Sequence, residues 1–554
     1  MKKLLSLMLC ALMALSLVGC GSSDSDGGNA SNSNTYVFSS DLEVKNLDSA
    51  DADDGCSFTA MNACIDGLMG LDENGLIVPA IAESHEVSDD GLVHTFKIRD
   101  NANWSNGEPV TANDFVYAWT RIFQNIGNYY YLTGSDGASI VGADEMIAKL
   151  DNEEELTEAD YEKYLTEGVV AKDDKTLVVT TTTPIPYFDD FMMFPSFYPI
   201  NEAFATEKGS EYGKTADAVL ENGAFLLETW DVGSQITYVK NPDYYDADKV
   251  SLDGLVIKLQ QQPEVAATAF ENGETDYAPV SSDLVDKYKD SADYKDSLIT
   301  VNDGFLFYIQ INFQNEDLAN YNIRKALSLA INREEFCNDR LKDGSSAATG
   351  FVPRNLSHDA NGKDFRDYSD SYTAYDLTAA QEAFNQGLKE LGVDQVTIEL
   401  LYGNNEPPME DLATYLQSSF SQIKGLNIEM QATTKNDRIY ERQAKQNFDI
   451  SCTRWGPDYS DPTTYLTLLK TGNTNNYGKY SNKELDSLLD SINKETDVTK
   501  RWNQMVEAEK IICEDYSIIP VFEKGTAVLI NQKAEGILVR SFGVPYVFKY
   551  VTKN

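Results

Sequence analysis

NACIDGLMGLDENGLIVPAIAESHEVSDDGLVHTFKIRDNANWSNGEPVTANDFVYAWTR, residues 62–121, switches between two hydrophobic periods within one stretch. HTFKIRD at 94–100 alternates Phe96 and Ile98 with polar neighbours, the pattern of a strand with one buried face. Asp90-Gly91 just before it reads as a hairpin turn. Trp104 to Phe115 reads as a turn feeding a helix, with Thr111 as the N-cap and Asp114 at the third helical position.

The same interleaving runs outward along the chain. LVIKLQ at 255–260 alternates like a strand. In NIRKALSLAINREEF, 322–336, the residues Ile323, Ala326, Leu327, Ala330 and Ile331 form one helical stripe. In DLTAAQEAFNQGLKELG, 376–392, Thr378 and Gln381 make a capping-box pattern and Gly392 suits the stop. Strands and helices alternate without a fixed repeat, which predicts a mixed α/β class. A body of about 520 residues exceeds what one core supports, so several lobes are expected.

The chain opens MKKLLSLMLCALMALSLVGCGSSDSDGG: two lysines, an apolar run too short to span a bilayer, then small residues. It reads as a secretory signal peptide over 1–20. Leu17-Val18-Gly19-Cys20 is similar to a bacterial lipobox, whose cysteine becomes the lipidated first residue of the mature protein. The polar run after it, through about residue 35, has the composition of a flexible tether. No later segment approaches a membrane span. Lysine and arginine total 45 against 89 acids, for a net charge of -44, which excludes the basic footprint that nucleic acid demands. Without the two leader cysteines, Cys56, Cys64, Cys337, Cys452 and Cys513 remain; an odd number with no C-x-x-C pair is not a disulfide framework, and a single Cys56–Cys64 bridge stays open.

Catalytic signatures are missing. There is no G-x-S-x-G and no H-E-x-x-H, and the only histidines are His85, His94 and His358. GSEYGKT at 209–215 falls one residue short of a P-loop and reads as a polar loop. The acid run at 151–162 reads as a solvated helix face without calcium-loop spacing. No enzyme, metal or cofactor is expected.

DGLMGLDENG, the Pro79-Ala80-Ile81-Ala82-Glu83 step and Trp104-Ser105-Asn106-Gly107-Glu108-Pro109 resemble the extracellular solute-binding proteins of the oligopeptide/dipeptide type, the receptors of peptide ABC importers. The resemblance continues in order through ENGAFLLETW (221–230), FENGETDY (270–277), INFQNEDLANYNIRKALSLAINREE (311–335), GFVPRN (350–355), FDISCTRWGPDYSDPTTYL (448–466) and SIIPVFE (517–523). It implies a three-lobed, periplasmic-binding-protein-like clam that closes on ligand through a hinge. Lobe I would be assembled from 36–65, 188–304 and 520–554, lobe II from 66–187 and lobe III from 305–519. It further implies a monomer anchored to the outer membrane face through Cys20, which binds short peptides with a free N-terminus and delivers them to ABC permease subunits.

In this family the acid of W-x-x-D-Y receives the α-amino group of the peptide; here it is Asp458. The backbones of Arg454 and Gly456 are expected to pair with the peptide, with Trp455 lining a side-chain pocket. Asp53 and Gly55 on the facing lobe, and Gln310, are further candidates, and Tyr129, Tyr130 and Tyr131 are weighed as pocket walls against a core role. Some relatives carry a basic residue where Cys452 stands, which leaves recognition of the peptide C-terminus open. The rival readings are the same fold with another cargo (dipeptide, signalling peptide, metal chelate or oligosaccharide) and an exported hydrolase with paired carboxylates.

Overall fold

Two strands, Leu298–Ile311 and Ile518–Ile530, are far longer than the rest and run antiparallel to each other. Their pairing proceeds from Leu298–Leu529 to Asn302–Gly525, breaks, and resumes from Leu306–Glu523. The break holds Asp303, Gly304 and Phe305. Gly304 takes φ +76, where a side chain is strained, and a Cβ there would also run into Ser541.

Each half of this ribbon belongs to a different half of one eleven-stranded sheet. Beyond Leu306–Ile311 stand Ile450–Trp455, Val396–Gly403 and Leu426–Thr433; beyond the other end stand Tyr277–Val280, Thr35–Ser39, Gly254–Lys258, Gln235–Lys240 and Phe225–Asp231. A separate antiparallel sheet orders Ala82–Val87, Val93–Ile98, Thr176–Thr180 and Val169–Asp173. The computed structural model describes residues 34–554 other than 126, 128, 136, 282, 360, 361 and 496. The expected leader, Cys20 and most of the tether lie outside the described residues.

The apolar cores divide at the same break. One core runs from Tyr36 to Tyr277 and resumes at Val528–Val551, and two others draw their residues from 306–522. Tyr459 crosses this division: it belongs to the first core although its chain neighbours belong to the other half.

Local chemistry sets the helix ends. Thr111 N–H and Oγ1–H donate to the Asp114 carboxylate at 2.7 and 3.1 Å, and Trp104 Nε1 donates to the same oxygen at 3.3 Å, which ties the W-S-N-G-E-P turn to the helix Ala112–Asn125. The helix Leu377–Leu391 stops at Gly392 in the left-handed region, as expected, but its cap is Asp376, whose carboxylate accepts from Ala379 N–H; the Thr378–Gln381 box does not form. A carboxylate two residues earlier captures the free amide first. The stripe at 322–336 breaks in two, because Asn332 caps a new turn at Arg333–Glu335 after Tyr321–Leu329 has ended. GSEYGKT contains one 3-10 turn in a loop, and the 151–162 acids lie exposed across a helix end and the next helix start. All five described cysteines are buried and free, so no Cys56–Cys64 bridge forms.

The first half of the G-F-V-P-R-N segment is held by Glu509, while Arg354 N–H donates to Glu523 and Asn355 N–H to Asp364. Glu509, fully buried, accepts from Phe351 N–H at 2.9 Å and Val352 N–H at 2.8 Å and pairs with Arg366 and Ser369. A Cβ on Gly350 would run into the Arg366 guanidinium. Removing one partner leaves the other charge buried and unpaired, so Glu509→Ala should destabilise the protein by roughly 3–5 kcal/mol, read as a lowered urea midpoint.

Candidate functional site

The break between the long strands opens onto a cavity of about 790 Å³. Asp303 and Phe305 reach it from the bulge, Trp455, Gly456, Pro457 and Asp458 from the segment after Ile450–Trp455, and Gly55, Phe58, Tyr129 and Tyr131 from the first core. Phe38, Phe194, Phe542 and Tyr546 complete a largely aromatic wall. A few charged groups in an apolar concavity form the usual chemistry of a small-molecule site.

The R-W-G-P-D-Y-S-D-P segment gives each residue a separate task. Gly456 packs its Cα against the Phe305 ring, where a Cβ has no room. Tyr465 O–H donates to Gly304 O at 2.6 Å and Trp455 O at 3.1 Å, which locks the corner to the bulge. Asp458 N–H donates to Thr464 Oγ1 at 3.1 Å, and its half-buried carboxylate lines the cavity and accepts from Tyr131 O–H at 3.0 Å. Tyr459 stacks on Tyr187 with centroids 4.3 Å apart and planes 4° from parallel. Ser460 Oγ–H donates to Asp190. Asp461, three residues after Asp458, is instead buried in a bidentate pair with Arg501 at 2.6 and 2.9 Å and accepts from Thr463 N–H. The first aspartate faces the cavity and the second holds the turn.

The strand Ile450–Trp455 also presents a free edge. Its ladder with Leu306–Ile311 is continuous from Ile450 to Trp455, but Val396–Gly403 pairs with it only at Leu400–Ile450 and Leu401–Ser451. Among the described residues, the far edge from Cys452 to Trp455 therefore has no strand partner. The Trp455 indole Nε1–H is buried without an acceptor among the described residues.

Of the residues singled out from sequence, Asp458, Trp455, Gly456 and Gly55 come together at this cavity. The Arg454 guanidinium lies 5.0 and 5.8 Å from the Phe305 and Phe307 ring centroids, so its backbone, on the open edge, is what it offers. Two candidates are corrected by the packing. Gln310 is buried elsewhere, where it accepts from Gln443 Nε2 at 2.5 Å and donates to Asn475 O at 3.3 Å, because it stands at the Ser451 end of the ladder and the cavity at the Trp455 end. Asp53 does not line the cavity: Asp54 caps the helix Gly55–Cys64, and Asp53 turns to Lys45 Nζ at 3.0 Å. It still bears on the site, since burial first, then Asp458 and Asp53, push the Tyr129 hydroxyl up to about 12. The Cys452 side chain is in the core, where burial pushes its thiol up to about 12.

Sequence reasoning missed Asp303. Burial pushes its carboxyl up to about 6 against the pull of Lys524, and Thr526 Oγ1 lies 2.9 Å from it. Lys524 is itself paired with Asp343 at 2.8 Å. The N-D-G turn signal at 302–304 was legible, but its placement in a bulge depends on the partner strand.

The family model described as "Bacterial extracellular solute-binding proteins, family 5 Middle" matches residues 77–477. The chain is 31% identical over 559 residues to the dipeptide-binding protein of Lactococcus lactis subsp. cremoris, with 97% of each chain covered. It is 28% identical over 567 residues to the oligopeptide-binding protein OppA of Bacillus subtilis, with 98% of each covered. The structure of Listeria monocytogenes OppA bound to peptide matches with a TM-score of 0.70 at 32% identity, covering 95% of this chain and 100% of that one.

Because the Asp303 carboxyl sits at about 6 when folded against a usual 3.8, its stability contribution is complete below pH 3.8 and is lost as pH rises toward 6. The full loss is on the order of 3 kcal/mol. Asp303→Asn should therefore raise the urea midpoint above pH about 7 and leave it nearly unchanged near pH 4, as measured by paired denaturation curves.

Proposed function

Because the chain belongs to the family 5 bacterial extracellular solute-binding proteins, we propose that it captures short peptides through their free α-amino group and hands them to the membrane subunits of an ABC importer. The observation that carries this reading is the Asp458 carboxylate, facing an aromatic cavity beside an open strand edge. A peptide brings one ammonium whatever its sequence, so one fixed carboxylate recognises peptides as a class. A carboxylate has about four lone-pair sites, so one group can accept from Tyr131 O–H and from the three N–H bonds of an ammonium. Main-chain pairing along Cys452–Gly456 would add affinity without reading side chains.

Lobe I (36–65, 188–304 and 520–554) and lobe III (305–519) would close by bending at the 303–305 bulge, with lobe II over 66–187. The 303–305 bulge is the larger of the two register irregularities between the long strands, the other falling between Phe307 and Tyr308, and is where a change in φ and ψ is most readily absorbed. Lipidated Cys20 would hold the receptor, as a monomer, on the outer face of the membrane. Names among the relatives include both dipeptide- and oligopeptide-binding proteins, and a cavity of about 790 Å³ suits a short peptide.

A charge-assisted bond to a buried partner is worth roughly 1.5–3 kcal/mol, so Asp458→Ala should weaken trialanine binding at least tenfold in calorimetry. The melting temperature of the empty protein should move by no more than a few degrees. N-acetyl-trialanine should bind the wild-type and variant proteins equally weakly. Undiminished trialanine affinity in the variant would remove Asp458 from the role.

A further inference from the structure

The bulge between the long strands places a carboxylate on the wall of the ligand cavity and gives it little to bind. Asp303 lines that cavity near Asp41, Asp343 and Lys524, so three carboxylates meet one ammonium at this end. The ammonium is already engaged: Lys524 Nζ pairs with Asp343 at 2.8 Å and donates to Gly525 O at 2.8 Å. Asp303 keeps the Thr526 hydroxyl, 3.1 Å from one of its oxygens and 2.9 Å from the other, and makes no ion pair among the described residues.

That charge costs the folded protein stability. Burial pushes the Asp303 carboxyl up to about 6, so at neutral pH it is ionised and largely withdrawn from water. A scaffold role does not require the charge, since an asparagine oxygen could accept the same bond from Thr526. A destabilising carboxylate on the wall of a ligand cavity points to the ligand as its partner.

The surroundings say what part of a ligand suits it. Tyr277 and Tyr546 share a 2.6 Å bond between their hydroxyls, and Phe38 packs on both, with ring centroids 4.3 and 4.9 Å away. All three rings line the cavity. Burial first, then Asp303 and Asp41, push the Tyr546 hydroxyl up, so the carboxylates stand beside these rings. A carboxylate next to aromatic faces matches a cation carried on an apolar stem. Among the described residues no group of three or more His, Cys, Asp or Glu is placed to hold a metal ion, which favours an organic cation here. Asp303 is also near the amine anchor. Gly456 packs on the Phe305 ring, Asp458 stands two residues beyond the one and Asp303 two before the other. Two residues span at most roughly 7 Å, so one short peptide reaches both carboxylates.

We propose that Asp303 selects basic peptides, receiving the side-chain ammonium or guanidinium of a lysine or arginine while Phe38, Tyr277 and Tyr546 pack on its stem. This rests on the peptide reading, because an α-amine held at Asp458 sets where the side chain falls. Calorimetry at pH 8 compares Ala-Lys-Ala and Ala-Ala-Lys with the same tripeptides carrying norleucine, which keeps the four-carbon stem and lacks the charge. At least one lysine peptide should bind about tenfold or more tightly than its norleucine counterpart. Asp303→Asn should bring that ratio close to one. Asp458→Ala removes another charge from the same wall and should weaken both members of the pair while keeping their ratio. Because Asp303→Asn is expected to be more stable than wild type at this pH, the ratio reads recognition and not folding. Equal affinities within both pairs, or a lysine preference that survives in Asp303→Asn, would overturn the proposal and leave the amine anchor standing. Failure of every tripeptide to bind would remove the peptide reading, and this proposal with it.

Discussion

Everything in this molecule that bears on ligand depends on the antiparallel pairing of Leu298–Ile311 with Ile518–Ile530. One pair of strands is shared by two half-sheets and by separate apolar cores, so the halves are joined through a single continuous ladder. A flawless ladder would be a stiff rod. The break at Asp303–Gly304–Phe305 relaxes it at one place, and the bulge turns Asp303 and Phe305 toward the cavity that movement there would open or close. The proposed hinge and the cavity wall thus share Asp303 and Phe305.

The second element is the turn Asp458–Asp461, which touches the other half residue by residue. Tyr131 reaches Asp458, Tyr187 stacks on Tyr459 and Asp190 accepts a hydrogen bond from Ser460 Oγ–H. Asp461 faces back to Arg501 and keeps the turn's shape whether or not those contacts persist. Two aspartates three residues apart therefore differ in what surrounds them: one is committed to a buried arginine, the other is half-buried on the cavity wall, where it accepts from the Tyr131 phenol. The stack of Tyr187 on Tyr459 is worth about 0.5–1.5 kcal/mol beyond its burial, enough to favour this arrangement without locking it.

Much of the fold was legible because its signals are local. Thr111 and Asp114 stand three residues apart and meet in the helix as expected, and Gly392 takes the left-handed stop. Gly456 and Asp458 were legible from their turn chemistry together with the family resemblance. The failures share a cause, which is distance along the chain. Gln310 is tied into the interior by Gln443, from the helical segment Asp437–Gln443 more than a hundred residues away. Asp53 lost its place because Asp54 beside it won the cap, a competition between equal residues that composition does not resolve. Arg324 and Arg333, on what read as one continuing helix, are both buried on carbonyl oxygens of 515–520. His358 gave no hint in sequence that it shares a cavity with His85 and His94, which the Asp90-Gly91 hairpin brings together.

The central claim is that this protein holds molecules by a free amine at Asp458. Mass spectrometry of the small molecules released when the natively purified protein is denatured tests it most directly. The account predicts short peptides with unblocked N-termini, recovered intact, and much reduced in the same preparation of Asp458→Ala. Recovery of compounds that lack an amine, or of the same peptides in equal amount from the variant, would contradict it.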